Sequence, residues 1–225
     1  MKPVEAVLFD LDDTLCVYER SADEVLAAAF QAVGVDRLFD GAEYIDRFEE
    51  FTDAGDEVAD IRAACFAALA EEAGHDPAVG RQVAAAYGAE RDQSAVAFTP
   101  GAERALSALD GDYRIGMVTN GDPGMQSQKL AGLGVEDYFE VVVHGGVDAP
   151  YKPNAEPFHL ALDELGVAPE RAVHVGNSHE ADVVGAHAAG LRSVWLADGR
   201  EVVDLDPVPH HVVESLHDVA AEPWV

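Results

Sequence analysis

Lysine is nearly absent from this chain: three stand among 225 residues, at Lys2, Lys129 and Lys152. Basic residues of both kinds number 14 against 43 Asp and Glu, a formal net charge of -29. Such a surface lacks the basic footprint that nucleic acid and anionic membranes require, so partners of both kinds are excluded on that ground. Cysteine is scarce as well. Cys16 and Cys65 have neither metal-ligand spacing nor a disulfide-rich context, and both are expected as buried small hydrophobes. There is no run of about 18 apolar residues, and the single N-terminal lysine is followed at once by a strand pattern rather than by a signal-peptide core. A soluble cytoplasmic protein is the expectation.

What is abundant is equally informative. Apolar residues make up 48% of the chain, a globular composition that can bury a core and is unlike an acidic disordered tail. The length suits one α/β domain, or such a domain carrying an insertion. Residues 17–98 hold 18 acidic and 6 basic side chains and the rest of the chain holds 25 and 8, so the acidity is spread over folded surface. This balance resembles that of proteins from cells with multimolar salt, where a Debye length of about 3 Å at 1 M screens the self-repulsion.

Val4 to Leu11 is an apolar run ending abruptly in Asp12-Asp13-Thr14, the pattern of a buried parallel strand that delivers polar groups at its carboxyl end. From Ser21 the pattern turns helical, with Asp23 and Glu24 in the first turn and apolar residues recurring to Val33 before Gly34. Further helices are predicted over Tyr44–Phe51, Val58–Ala73 and Val79–Ala89, so this stretch is all α. After Thr99-Pro100-Gly101 helices and strands alternate. Helices are predicted at Ala102–Leu109, Met125–Leu133, Ala155–Leu165 and Ala181–Ala189, and strands at Arg114–Thr119, Phe139–His144, Ala172–Val175 and Ser193–Leu196. A short strand and helix complete the pattern over His211–Ala220. The fold class implied is α/β, a Rossmann-like parallel sheet with ligands bound beyond the strand carboxyl ends. Residues 1–16 and 99–225 form this core, and residues 17–98 form an inserted all-α unit.

Four polar clusters lie at strand ends or loops. In Asp10-Leu11-Asp12-Asp13-Thr14, two carboxylates one residue apart face the same way if the backbone stays extended, as a carboxylate nucleophile and a partner acid/base require; a turn or helix cap would leave the same sequence. Thr119-Asn120-Gly121 can donate uncharged hydrogen bonds to phosphate oxygens or simply close a turn. Lys152, in a loop before a helix, offers a compact ammonium to hold a phosphate or neutralise crowded carboxylates. Lys129 falls in a helical pattern and is read as part of a solvated face. Gly176-Asn177-Ser178 with Asp182 offers oxygen donors for Mg²⁺ or, equally, a capped acidic helix start. His210, His211 and His217 are not spaced as zinc ligands and are expected as exposed polar residues.

The ordered set Asp10-x-Asp12-x-Thr14, Thr119-Asn120-Gly121, Lys152-Pro153 and Gly176-Asn177 with Asp182 resembles the four signature motifs of the haloacid dehalogenase superfamily over nearly the whole chain. Residues 17–98 look like that family's helical type 1 cap, and the stretch from Val118 to Trp195 is similar to its phosphatase branch. The resemblance implies Asp10 as nucleophile and Asp12 as the general acid/base. It implies Thr119, Asn120 and Lys152 as phosphoryl ligands. Mg²⁺ would be held by Asp10, the Asp12 carbonyl and Asn177, with Asp182 sharing the load. Asn177 departs from the pattern, which usually has Asp there, and an amide oxygen brings no charge.

These implications make a Mg²⁺-dependent phosphomonoester hydrolase of a small phosphorylated metabolite the leading expectation. A 2-haloacid dehalogenase shares the fold and nucleophile but lacks the second aspartate, so Asp12 argues against it. A non-catalytic, phospholigand-binding relative is the alternative from another class, resting on Asn177 alone. Arg20, Arg37, Arg47, Arg62 and His75 are the candidates in the inserted unit for meeting a substrate anion, although surface ion pairing accounts for each arginine equally well. The charge balance also makes a prediction about solvent: the protein should unfold or lose activity below molar salt. A salt titration of the melting temperature checks this, and full stability in dilute buffer would refute it.

Overall fold

A computed structural model describes residues 2–55 and 57–225. The chain divides into two compact units, one of Met1–Val17 with Val96–Val225 and the other of Tyr18–Ala95. In the first unit six strands lie parallel in the order β5-β4-β1-β6-β7-β8. They are β1 (Ala6–Phe9), β4 (Arg114–Thr119), β5 (Val141–His144), β6 (Ala172–Gly176), β7 (Arg192–Leu196) and β8 (His211–Val213). Every residue of β1, β6 and β7 is buried, as expected of strands covered on both faces. The remaining strands, β2 (Cys16–Tyr18) and β3 (Val96–Phe98), form a two-stranded ribbon that the sequence pattern does not reveal, three residues being too few for a period to register.

Five helices belong to this unit: α5 (Ala102–Leu109), α6 (Pro123–Leu133), α7 (Glu156–Leu165), the single turn α8 (Gly185–Ala188) and the short α9 (Leu216–Val219). Asp122 caps α6 by accepting from the Met125 amide at 3.0 Å, and α7 stops at Gly166, whose φ of 66° suits the left-handed cap. Phe158, Leu162 and Leu165 of α7 pack with Leu8, Val118 and Val143 from three adjacent strands. The helix predicted over Ala181–Ala189 instead begins as a π-helical turn at His179–Val184 before α8. The site's Asp182 lies in that turn. Among the C-terminal histidines, His210 is exposed and its Nδ1 accepts from the Ser193 amide at 3.2 Å.

The second unit contains α1 (Ala22–Val33), α2 (Gly41–Phe48), α3 (Val58–Glu72) and α4 (Pro77–Glu90), with a 3₁₀ segment at Glu49–Ala54. Ser21 and Glu24 form a capping box at the start of α1. The core of this unit is aromatic: Phe66 meets Phe39, Tyr44 and Tyr87 edge-on, with centroids 4.9, 4.9 and 5.7 Å away. A Cβ at Gly80 would lie 2.0 Å from the Phe66 carbonyl oxygen, so α3 and α4 approach as closely as they do only because that position is glycine. No helix among the described residues is long and apolar enough to cross a membrane.

Candidate active site

Because β1, β4 and β6 are neighbours and parallel, their carboxyl ends deliver Asp10, Thr119 and Asn177 to one edge of the sheet, where chain order reverses on either side of β1. The Asp10 amide still donates to the Val175 carbonyl at 2.9 Å, so its position is fixed by the ladder itself. Beyond it the chain turns sharply through Asp13, which adopts a left-handed φ of 57°. That turn brings Thr14 Oγ1 within 3.1 Å of Asp10 Oδ2 and 3.2 Å of Asn177 Oδ1, while the Asn177 amide donates back to the same hydroxyl at 3.1 Å. The hydroxyl has one hydrogen and serves one of the two oxygens at a time.

Lys152 is the centre of the cluster. Its Nζ donates to Asp10 Oδ1 at 2.8 Å, to Asp182 Oδ1 at 2.7 Å and to the Val118 carbonyl at 2.8 Å, which uses all three hydrogens. The side chain is 1% exposed, and an ammonium so buried is stable only when paired and fully hydrogen-bonded. Asn120 positions the backbone that carries it: Oδ1 accepts from the Lys152 amide at 2.8 Å, and Nδ2 donates to the Lys152 carbonyl at 3.0 Å. Gly176 makes room for the second carboxylate, since a Cβ there would stand 2.2 Å from Asp182 Cγ.

Both oxygens of Asp182, expected as a metal ligand, are engaged inside the protein. Oδ1 accepts from Lys152 and from His174 Nε2 at 2.9 Å, and Oδ2 accepts from the Ser178 amide at 2.9 Å. Burial alone would raise its pKa, but Lys152 and the His174 hydrogen bond more than offset that and hold it well below the usual carboxylate range. His174 moves down because it is buried; its Nε2 lies 2.9 Å from Asp182 Oδ1, while Nδ1 has no partner among the described residues. For Asp10 burial prevails over the attraction of Lys152, and the neighbouring Asp182 adds to it, so its pKa is pushed up to about 7.

Asp12 is more exposed, at 42% of its side chain, and turns toward α6. Gln126 Nε2 donates to Asp12 Oδ2 at 2.8 Å and to Thr119 Oγ1 at 2.7 Å, and Lys129 Nζ donates to Asp12 Oδ1 at 2.5 Å. Here the sequence expectation for Lys129 is corrected: its side chain is 3% exposed and ion-paired, not part of a solvated face. Gln126, fully buried, drew no attention in the sequence. The signal available for both was their i, i+3 spacing, which places them on one side of α6 just after the Thr119 strand end.

The donors that could hold a cation are the Asp10 carboxylate, Asn177 Oδ1 and the Asp12 carbonyl. They are all oxygens, with no imidazole or thiolate among them, which suits a hard ion such as Mg²⁺ that keeps several waters. Among the described residues no three His, Cys, Asp or Glu side chains gather as a metal group. Beside Asn177 a cavity of about 360 Å³ opens, lined in part by Asp13, Thr99, Asp198, Arg200 and Glu214.

In the helical unit, Arg20 pairs with Glu90, Arg37 with Asp23 and Arg47 with Glu50 and Glu72, all at the surface, and His75 is exposed. Arg62 differs from these. It is buried, its Nε donates to Tyr44 Oη at 3.3 Å, and its guanidinium lies 5.1 Å from the Tyr87 ring centroid.

The sequence profile of the haloacid dehalogenase-like hydrolases matches residues 4–190. The chain belongs to that family. It is 36% identical to the phosphoserine phosphatase of Thermus thermophilus over 164 residues, which is 71% of this chain and 64% of that one. With the glyceraldehyde 3-phosphate phosphatase of Methanopyrus kandleri it shares 30% identity over 207 residues, 91% of this chain and 88% of the relative. The match to the N-acylneuraminate-9-phosphatase of Mus musculus, 35% identical, spans 48% of that protein, about half its length. Among solved structures, the HAD-hydrolase YfnB of Bacillus subtilis, bound to magnesium, superposes with a TM-score of 0.80 at 21% identity over 98% of this chain and 99% of its own, a likeness of fold. Named phosphatases are thus among the relatives of this chain.

The geometry generates a stability prediction. Asp182 binds its proton more weakly when folded than when unfolded, so its contribution is complete above about pH 4 and is lost as pH falls below that. Asp10 has the opposite sign, since its raised pKa means that ionisation between about pH 4 and pH 7 costs stability. Asp182→Asn should therefore destabilise the fold by about 3–5 kcal/mol at pH 7, because it removes one of the two carboxylates that pair with a buried cation, and by less at pH 3. Urea unfolding at the two pH values measures both; a loss independent of pH would contradict the assignment.

Proposed function

We propose that this protein is a Mg²⁺-dependent phosphomonoester hydrolase acting on a small phosphorylated metabolite through an aspartyl-phosphate on Asp10. The observation that carries the reading is the pairing of Asp10, fixed between Lys152 and Thr14, with a second carboxylate two residues later that is half-exposed and oriented by its own partners. A hydrolase that displaces an alcohol needs both groups. One attacks and the other moves the proton.

In the first step an Asp10 oxygen attacks phosphorus, the bond from phosphorus to the ester oxygen breaks, and Asp12 gives its proton to the departing alkoxide. In the second step a water attacks the phosphorus of the aspartyl-phosphate, Asp12 takes the water's proton, and inorganic phosphate leaves with the Asp10 carboxylate regenerated. The Lys152 ammonium stands where negative charge gathers on the phosphoryl oxygens and is already oriented, so no reorganisation is needed as the charge develops. Thr119 Oγ1, tied to Gln126, lines the same edge. Asp182 keeps Lys152 in place, and Asn120 does so through the backbone. Asp10, Asn177 and the Asp12 carbonyl would hold Mg²⁺, which when bound would supply positive charge to offset the burial of Asp10 and the phosphoryl charge.

Relatives with at least 30% identity act, by name, on phosphoserine and glyceraldehyde 3-phosphate, and small phosphate esters of that kind are the substrate class proposed here. The helical unit, Tyr18–Ala95, is proposed as the family's type 1 cap. A screen of metabolite phosphates with Mg²⁺ at high KCl tests the activity. Asp10→Asn should abolish turnover, because a neutral amide cannot attack phosphorus, and residual activity above about one tenth would overturn the nucleophile assignment. Asp12→Asn should spare aryl phosphates relative to alkyl ones, since only the alkyl leaving group needs protonation.

A further inference from the structure

Two of the chain's three lysines are buried, and each is ion-paired to one of the two motif aspartates: Lys152 to Asp10 and Lys129 to Asp12. The third, Lys2, lies at the surface against Glu170. Where basic residues total 14 and arginine supplies the other eleven, the two interior lysines sit only where a compact ammonium must reach a carboxylate. We propose that Lys129, together with Gln126, is a positioning residue for Asp12, holding its carboxylate in the orientation from which it exchanges a proton with the leaving group and the attacking water. The proposal rests on the hydrolase reading above.

The geometry is specific. Gln126 and Lys129 are three residues apart on α6 and so share one face. Each takes a different oxygen of Asp12, Gln126 the Oδ2 and Lys129 the Oδ1, and so fixes the plane of the carboxylate as well as its distance. The Gln126 amide cannot be turned over, because its nitrogen must face two acceptors, Asp12 and Thr119 Oγ1. Its Oε1 is consequently buried without a hydrogen-bond partner among the described residues, a cost that accompanies this orientation of the donors. A surface-exposed carboxylate would otherwise sample several rotamers and lose catalytic effectiveness through misplacement. Asp122 caps the start of α6, the helix that carries both side chains.

Lys129→Met removes the ammonium while keeping the length of the chain and its apolar stem. Turnover of an alkyl phosphate should fall by about tenfold or more beyond any loss on an aryl phosphate, because the lost function is proton delivery to a poor leaving group. In an Asp12→Asn background the same substitution should change turnover by less than about twofold, because there is no carboxylate left to position. Equal losses on both esters, or an undiminished loss in the Asp12→Asn background, would overturn the proposal and leave Lys129 as a structural anchor of α6. A second readout does not depend on activity. With three lysines in the chain, ¹⁵Nζ lysine spectra contain three ammonium signals. The one lost in Lys129→Met should shift strongly in Asp12→Asn, and an unmoved signal would also overturn the proposal. Absence of phosphate release from every ester by the unmutated protein would instead sink the hydrolase reading, and with it the role of Asp12, while the lysine spectrum would still report separately on the contact.

Discussion

A buried ammonium without enough acceptors would unfold the sheet edge, and the site is built around meeting that demand for Lys152. Three acceptors on three different segments satisfy it: Asp10 after β1, the Val118 carbonyl within β4 and Asp182 after β6. Each depends on something further. Asp182 fits because Gly176 has no side chain, and it is held by His174 and the Ser178 amide. The Lys152 backbone is clamped by Asn120. The same contacts that stabilise the lysine align Asp10 beside Thr14 and Asn177, so the folding requirement and the placement of the proposed nucleophile are one arrangement. Separation of the two carboxylate pKa values follows directly, with Asp182 held ionised and Asp10 pushed up by burial to about 7.

Much of this is legible in the sequence, and the reason is periodicity. The apolar runs before Asp10, Thr119 and Asn177 mark buried parallel strands, and parallel strands bring their carboxyl ends to one edge whatever their separation along the chain. Asp10, Asp12, Thr119, Asn120, Asn177 and Asp182 are therefore expected near one another before any coordinates are known, and Lys152 joins them through the resemblance to the family. What the pattern does not carry is which polar atom meets which. Asn120 reads as a phosphate donor, yet in the structure both ends of its amide hold Lys152. Asp182 reads as a metal ligand, yet its oxygens are taken by Lys152, His174 and Ser178. Lys129 reads as solvated because a charged residue in a helical pattern usually is, and only the approach of α6 to the Asp12 loop makes it interior.

Element boundaries differ for equally physical reasons. The last helix before β7 opens as a π-helical turn where Asp182 must reach inward, a local departure that helical periodicity cannot report. In the helical unit Arg20, Arg37 and Arg47 behave as the acidic composition suggests, each paired with a carboxylate, and such exposed pairs add little to stability. Arg62 and Arg91 differ, each with a tyrosine hydroxyl and ring in place of a carboxylate.

The central claim is that the carboxylate fixed by Lys152 and Thr14 becomes covalently phosphorylated during turnover. Rapid acid quench of the protein with a ³²P-labelled phosphate ester, followed by peptide mapping, tests it most directly. The account predicts label on the peptide containing Asp10, transient in the unmutated protein and absent from Asp10→Asn. Release of phosphate with no label on the protein at any quench time, or label on another residue, would contradict it.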